Sequence, residues 1–132
     1  MRALLLLALV PVALAQTDEP RHVYLTWQGD TATTMTVVYH TFGAEPGPSA
    51  VRYGTDDLDL EGEGASHQIE GLEDERWVHV VELTDLEAGA RYQFVAGRGG
   101  QRRAFRTVPA DARPVRFVTG GDLGVSDEVL RL

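Results

Sequence analysis

Short runs in which apolar and polar residues alternate recur along the chain between residues 22 and 108. In HVYLTW every second residue is apolar, and TTMTVVYHT has the same spacing at Met35, Val37 and Tyr39. Alternation places these side chains on one side of an extended strand, which predicts strands with one buried face. Further runs of this kind are AVRYG, WVHVVEL, RYQFVAG and RRAFRTV. About six or seven short strands without a helical period between them predict an all-β sandwich.

Residues typical of turns separate these runs. GAEPGPS at 43–49 predicts a loop, and GRGGQRR at 97–103 predicts a hairpin tip, because glycine and proline interrupt strands. TDDLDLEGEGAS at 55–66 is acidic and contains glycines, so it predicts a solvated connection rather than a strand. The acids lack the spacing of a glycine-centred calcium loop, which argues against a calcium site.

The pattern changes after residue 108. PADARP at 109–114 is framed by prolines and predicts a linker. VRFVTGGDLG then gives an apolar strand followed by a glycine loop, and SDEVLRL gives the start of a helix, with Ser126 as a suitable N-cap. The order of strand, loop and helix is typical of an α/β domain. The sequence therefore predicts a sandwich at 20–108, a linker at 109–114 and the beginning of a second domain at 115–132.

The first residues have the features of a signal peptide. Arg2 precedes an apolar run that ends in the small-x-small pattern Ala13-Leu14-Ala15. The run is shorter than the ~20 residues that a membrane-spanning helix needs. Residues 1–15 therefore predict export to the periplasm, the cell surface or the medium, with no membrane span left after cleavage. The chain contains no cysteine, so neither disulfides nor thiolate ligands contribute.

Charge and the remaining polar residues narrow the function classes. The chain has 20 acidic and 12 basic residues and a net charge of −8, which argues against nucleic acid as its partner. His22, His40, His67 and His79 are widely spaced, with no pair at i,i+2 or i,i+4, so we do not expect a histidine metal site within the sandwich. Neither a Ser-His-Asp arrangement nor a phosphate-binding loop is evident.

Several segments together resemble a known family. In LTDLEAGARYQFVAG, the spacing of Leu86, Gly89 and Tyr92 resembles the tyrosine corner of fibronectin type III-like domains. The ordered segments MTVVYHT, VRYGT, VHVVELTDLEAGARYQFVAG, FRTVP and FVTGGDLG resemble the N-terminal domain of purple acid phosphatases and the opening of their metallophosphoesterase domain. The resemblance covers about residues 20–124. It implies a structural, hydrogen-bonded role for His79. Tyr39 departs from the family, which more often has tryptophan there, and is tolerable if its hydroxyl finds a partner.

The resemblance also implies a chemistry. The Gly-Asp-x-Gly motif of the family supplies the first metal ligand, which would be Asp122 in the stretch Gly121-Asp122-Leu123-Gly124. The parent enzyme would hydrolyse a phosphate ester with water activated by a dinuclear centre of Fe with Fe, Zn or Mn. The other ligands of the family lie further downstream. The 132-residue chain therefore looks like the N-terminal portion of such an enzyme, without a complete catalytic site, a stably bound metal or activity of its own.

Two alternatives stay open at this point. Asp122 is also compatible with an ordinary glycine-aspartate turn, since a short motif of this kind is weak by itself. The chain as a whole is also compatible with a secreted, non-catalytic fibronectin-like module that binds a partner through an edge strand or a loop, because a fold does not determine a function. The sequence leaves the oligomeric state open.

Overall fold

A computed structural model describes residues 19–71, 74–111, 113–114 and 116 of the chain. Every regular element among these residues is a β-strand. The predicted signal peptide at 1–15, Asp122 and all the rest of 117–132 lie outside the described residues. In the part of the chain that is described, no helix is long and apolar enough to span a membrane.

The strands form two antiparallel sheets of four strands each. The first sheet has the order β1-β2-β6-β5, and the second has the order β4-β3-β7-β8. This arrangement confirms the predicted all-β sandwich of the immunoglobulin and fibronectin type III kind. The strands are β1 (Arg21–Thr26), β2 (Met35–Phe42), β3 (Ala50–Gly54), β4 (Leu60–Glu63), β5 (Ala65–Gln68), β6 (Arg76–Leu83), β7 (Arg91–Ala96) and β8 (Arg103–Arg106).

The core lies between the sheets and follows the alternation in the sequence. Met35, Val37 and Tyr39 of β2 are at most 2% exposed, and the adjacent β6 contributes Val81 and Leu83 to the same cluster. Full burial of an aliphatic or aromatic side chain stabilises a fold by roughly 1.5–3 kcal/mol. Because the chain contains no cysteine, no disulfide links the two sheets. The second sheet contributes Val51, Tyr92, Phe94, Ala96 and Phe105.

The prediction for residues 55–66 was wrong. Part of this acidic stretch forms β4, which pairs with β3, and another part forms β5, which pairs with β6. Both are edge strands. The two acidic side chains of β4, Glu61 and Glu63, are exposed to solvent, and Glu61 lies opposite Arg52 on β3. Gly62 lies directly below Leu83, where an added Cβ would come within 2.6 Å of the leucine side chain. Here the glycines serve close packing rather than flexibility.

The start of β1 departs from a regular strand. Its register against β2 shifts between Arg21 and Tyr24, and His22 has a φ of 50°. Val23 and Leu25 pack against the core as the alternation predicts. Trp27 does not share their burial and is 46% exposed, because β1 ends at the preceding residue.

Candidate functional site

His79 on β6 is a buried polar side chain of the core with hydrogen-bond partners at both ring nitrogens. The imidazole is fully buried, with its Nε2 atom 2.8 Å from the Thr41 hydroxyl and its Nδ1 atom 2.8 Å from the Ser49 hydroxyl. The ring also stacks on Tyr39, which lies directly opposite on β2. Both nitrogens and one face are thus engaged within the protein. The geometry makes His79 a structural tie between β6 and the 43–49 loop rather than a group that meets a dissolved substrate.

The hydroxyl of Tyr39 forms hydrogen bonds at the end of the same loop. Its hydroxyl lies 3.2 Å from the carbonyl oxygen of Pro48, to which it donates, and accepts a hydrogen bond of 3.2 Å from the backbone N–H of Ala50. A buried tyrosine hydroxyl with both kinds of partner satisfies the condition under which tyrosine is tolerated in a core. Burial raises the pKa of Tyr39 above 10.0, and the bond from Ala50 opposes this effect.

The 43–49 loop is fastened at further points. The Thr41 hydroxyl donates to the carbonyl oxygen of Pro46 at 3.3 Å, and the indole N–H of Trp77 donates to that of Gly43 at 3.0 Å. A consistent proton arrangement then has Ser49 donating to His79 Nδ1 and His79 Nε2 donating to Thr41. The loop that joins the two sheets is therefore held by side chains of the first sheet.

The tyrosine corner lies at the opposite side of the core. The Tyr92 hydroxyl accepts a hydrogen bond of 2.9 Å from the backbone N–H of Glu87, and Leu86 is 5% exposed. Gly89 has a φ of 69°, a conformation that a side chain disfavours. Leu86 and Gly89 thus lie in the turn between β6 and β7, and Tyr92, near the start of β7, bonds back to that turn through its hydroxyl.

Thr107, which the sequence analysis missed, joins this corner to the end of the sandwich. Its hydroxyl is buried, donates to the carbonyl oxygen of Glu87 at 2.6 Å and accepts from the N–H of Ala90 at 3.0 Å. The next residue, Val108, donates its N–H to Thr31 and accepts from Gly89. These contacts fix the position at which the chain leaves the last strand and enters the predicted linker. A threonine after a strand gives no signal of this role in the sequence.

The described residues do not assemble a metal centre. No group of three or more histidine, aspartate or glutamate side chains among them is placed to hold a metal ion. His22 and His40 lie close together, with ring centroids 5.3 Å apart, but His79 belongs to the core network on the other face of the sheet. The predicted ligand Asp122 lies outside the described residues. A dinuclear centre therefore does not fit the described part of the chain, and no chemical step is assigned to it there.

Two facing antiparallel sheets with a tyrosine corner define an immunoglobulin-like or fibronectin type III-like β-sandwich domain. The family described as "Purple acid Phosphatase, N-terminal domain" matches residues 20–112, which is more than half of the chain. The chain therefore belongs to this family and is related to the purple acid phosphatases, which generally carry a dinuclear metal centre. A search of the curated proteins found no match.

Proposed function

We propose that this chain supplies the N-terminal domain of an exported, metal-dependent phosphoesterase in which Asp122 is the first metal ligand. The proposal rests on the order of two segments along the chain. A domain of the purple acid phosphatase family at 20–112 is followed, within a few residues, by a Gly-Asp-x-Gly motif at 121–124. A lone motif of this length is weak, but its place directly after this domain makes it specific.

The residue types in the motif suit the proposed chemistry. A carboxylate is a hard oxygen ligand for iron, zinc or manganese, and flanking glycines allow the backbone to approach a metal and a substrate closely. When bound, the metal pair would supply an activated water for attack on a phosphate ester. The role of the described residues is positional. Thr107 and the tyrosine corner hold the start of the linker, so that the sandwich presents the following segment from a fixed point.

We expect the 132-residue chain to be inactive by itself. One carboxylate does not hold a metal pair, since first-row metals in such sites take four to six ligands. Within the described residues no second set of ligands compensates. The proposed activity therefore requires ligands supplied by further coding sequence.

The test begins with the coding DNA beyond Leu132. The proposal expects an open frame with additional aspartate, asparagine and histidine ligands, and a product of that frame that hydrolyses a phosphate monoester and contains two metals by elemental analysis. In that product Asp122→Asn should lower both metal content and turnover. Asp111→Asn is the matched control, because among the described residues Asp111 pairs with Arg113 on the surface. A stop codon directly after Leu132, or phosphatase activity of the 132 residues that depends on Asp122, contradicts the proposal.

Export has a separate test. Residues 1–15 carry the pattern of a signal peptide, so the exported product is expected to begin near Gln16. N-terminal sequencing of the protein recovered outside the cytoplasm checks this cleavage. A product that keeps Met1 and stays in the cytoplasm contradicts export without affecting the proposed chemistry.

A second function, that of a secreted binding module, is favoured by one observation. Large apolar side chains are exposed at Tyr24 and Leu60 on the edge strands β1 and β4, and at Trp27 and Ile69, which directly follow the edge strands β1 and β5. Exposed sheet edges can bind a partner by adding a strand. This function predicts a native product without metal or turnover, and a partner whose binding is lost in Trp27→Ala. Two bound metals and turnover in the native product would exclude a purely non-catalytic module.

A further inference from the structure

The irregularity in β1 gathers side chains on the outer face of the first sheet. Arg21 lies opposite His40 and Tyr24 lies opposite Val38, so three steps along β1 correspond to two steps along β2. This count is that of a β-bulge, and His22 occupies it with a φ of 50°. Bulges redirect side chains, and an unfavourable backbone conformation at a non-glycine residue often marks a functional position. Here Arg21, His22 and Tyr24 all reach the outer face, while Val23 packs inward.

Two arginines converge on this face from opposite sides of β2. The guanidinium carbons of Arg21 on β1 and Arg76 on β6 each lie 5.5 Å from the centroid of the Phe42 ring. His40 is two residues from Phe42 on the same side of β2 and contacts His22. We call Arg21, His22, His40 and Arg76 the Phe42 cluster. A guanidinium that stacks on an aromatic ring keeps its N–H edge available, and that edge matches the oxygens of a tetrahedral anion.

The positive charge of the Phe42 cluster is only partly neutralised. Asp74 pairs with Arg76 at 2.7 Å, and the other ion pair found among the described residues, Asp111 with Arg113, lies in the predicted linker. Within the described residues, His40 Nδ1 and Arg76 Nε are buried and have no hydrogen-bond partner. Two arginines against one aspartate leave a surplus positive charge, which grows when His40 is protonated.

We propose that the Phe42 cluster binds a small tetrahedral oxyanion, either free or as the terminal group of a monoester. Arg21 and Arg76 supply the charge-assisted donors from the two sides of Phe42, and His40 adds positive charge when it is protonated. The site is independent of the proposed phosphoesterase chemistry, because it uses none of the residues of the Gly-Asp-x-Gly motif. Nor does the net charge of −8 exclude it, since at physiological salt exposed charges beyond about 8 Å are largely screened.

Binding should depend on pH through His40. Burial lowers the pKa of His40, His22 and Arg76 lower it further, and Asp74 opposes them. The groups that face His40 from neighbouring elements are thus Arg21, His22 and Tyr24 of β1, Arg76 of β6 and Asp74 before it. An anion in this cluster would offset the repulsion and raise the pKa of His40. By linkage, if the bound anion raises the pKa of His40 by about one unit, the anion must bind about tenfold more tightly to the protonated form of His40 than to the neutral form.

The experiment is an NMR titration of the full 132-residue chain with sodium sulfate at constant ionic strength, between about pH 5 and pH 8. Sulfate stays a dianion over this range, so any pH dependence comes from the protein. We expect saturable shifts of the His22 and His40 rings and of the Arg21 and Arg76 side chains, with tighter binding at the acidic end. A parallel titration with O-phosphoserine separates the two sources of the anion. Tighter binding of phosphoserine indicates a monoester, and equal or weaker binding indicates a free oxyanion.

Variants distinguish a binding site from a merely structural cluster. Arg21→Gln removes an exposed cation and should weaken sulfate binding about tenfold, the loss expected for one charge-assisted contact. Asp74→Asn removes the carboxylate that competes with the anion for Arg76, so the affinity for sulfate should rise. Damage to the fold would lower the affinity rather than raise it. Arg91→Gln on the second sheet is the matched control and should bind like the parent chain. The proposal is overturned by the absence of saturable shifts, by affinity that is independent of pH, or by equal effects of Arg21→Gln and Arg91→Gln.

Discussion

The rings of Tyr39 and His79 lie parallel across the β2–β6 pair, with centroids 4.5 Å apart and planes 2° from each other. The Tyr39 hydroxyl bonds to Pro48 and Ala50, and His79 bonds to Ser49. Both rings are thus tied to the three consecutive residues with which the 43–49 loop ends and β3 begins. A buried polar network of this kind is stabilising when every member has a partner and costly when one is removed. The stack therefore links core packing to the path of the chain between the two sheets.

Substitution of His79 by phenylalanine tests the network. The His79→Phe variant would keep an aromatic ring next to Tyr39 but would leave the hydroxyls of Thr41 and Ser49 without their nitrogen partners. We expect the free energy of unfolding to fall by about 1–3 kcal/mol, the cost of leaving buried polar groups unpaired. Urea unfolding at neutral pH measures it. His67→Phe on the edge strand β5 is the control and should change stability by about 0.5 kcal/mol or less. Equal losses for the two variants would show that the network does not contribute.

Tyr39→Phe has a consequence that depends on pH. Burial raises the pKa of Tyr39, so its contribution to stability is fully present below pH 10.0 and is lost as the pH rises through the folded-state pKa. At neutral pH the variant should lose about 1 kcal/mol with the hydroxyl bonds. Above pH 10 its stability should fall less steeply than that of the parent chain. Thermal unfolding at a series of alkaline pH values measures both effects.

Tyr24→Phe is the control for this measurement, because it makes the same chemical change at a side chain that is 50% exposed. Its stability should follow the parent chain at neutral and at alkaline pH. A Tyr39→Phe variant whose stability curve runs parallel to that of the parent chain above pH 10 would contradict the assignment of the alkaline loss to Tyr39.

His40 should govern part of the acid sensitivity. Burial, together with His22 and Arg76, lowers its pKa below 6.5 in the folded state, so the unfolded chain binds the proton more readily. Stability is then fully present above about pH 6.5 and is lost as the pH falls through the folded-state pKa. His40→Gln should reduce this loss when melting temperature is measured in chloride buffers without sulfate or phosphate. His67→Gln, at an exposed position of β5, should leave the acid loss unchanged, and a similar reduction in both variants would exclude His40 as its source.

The central strands could be predicted because the physical signal is local. Met35, Val37 and Tyr39 alternate with the residues between them, and burial of one face imposes this period on any sheet. The partners of His79 could not be predicted in this way. Ser49 is 30 residues away and Thr41 is 38 residues away, and only the pairing of β2 with β6 brings them together. The local pattern therefore specifies which face is buried but not which polar groups meet there.

The acidic stretch at 55–66 shows a second limit of local patterns. Edge strands with exposed acids carry little hydrophobic alternation, so charge and glycine content pointed to a loop. These two strands form because a neighbouring strand is available for pairing. β4 pairs with β3 in one sheet, and β5 pairs with β6 in the other. The Phe42 cluster could not be predicted from the sequence for a similar reason. Arg21 and Arg76 are far apart in the chain and meet only across β2.

Gly64→Ala tests the crossing between β4 and β5. A Cβ added at Gly64 would overlap the backbone carbonyl of Val80, which cannot move without breaking the β5–β6 pairing. We expect a loss of about 3 kcal/mol in the free energy of unfolding, at the upper end of overpacking effects. At Gly71 an added Cβ meets nothing within 4 Å, and the φ of 83° leaves only the conformational cost of about 1–2 kcal/mol. A Gly64→Ala variant that is as stable as Gly71→Ala would show that the crossing is not tightly packed.

Two buried threonines, Thr107 and Thr36, should respond differently to the same substitution. Thr107 and Thr36 are at most 1% exposed, and replacement by valine changes the size of either side chain very little. The Thr107 hydroxyl bonds to Glu87 and Ala90, so Thr107→Val should lose about 1–3 kcal/mol in the free energy of unfolding. The backbone N–H of Ala90 should also exchange with solvent faster. Urea unfolding and hydrogen exchange measure these effects.

Thr36 is the matched control, because its hydroxyl is buried and has no hydrogen-bond partner among the described residues. Removal of an unpaired buried hydroxyl eliminates a desolvation cost, and valine is favoured in a strand, so Thr36→Val should be neutral or stabilising. Stability losses of equal size in Thr36→Val and Thr107→Val would mean that packing alone determines them. Opposite signs would show that the bonds of Thr107 hold the end of the sandwich to the tyrosine corner. Because the predicted linker begins two residues after Thr107, the same bonds would then set the direction in which the following segment leaves the domain.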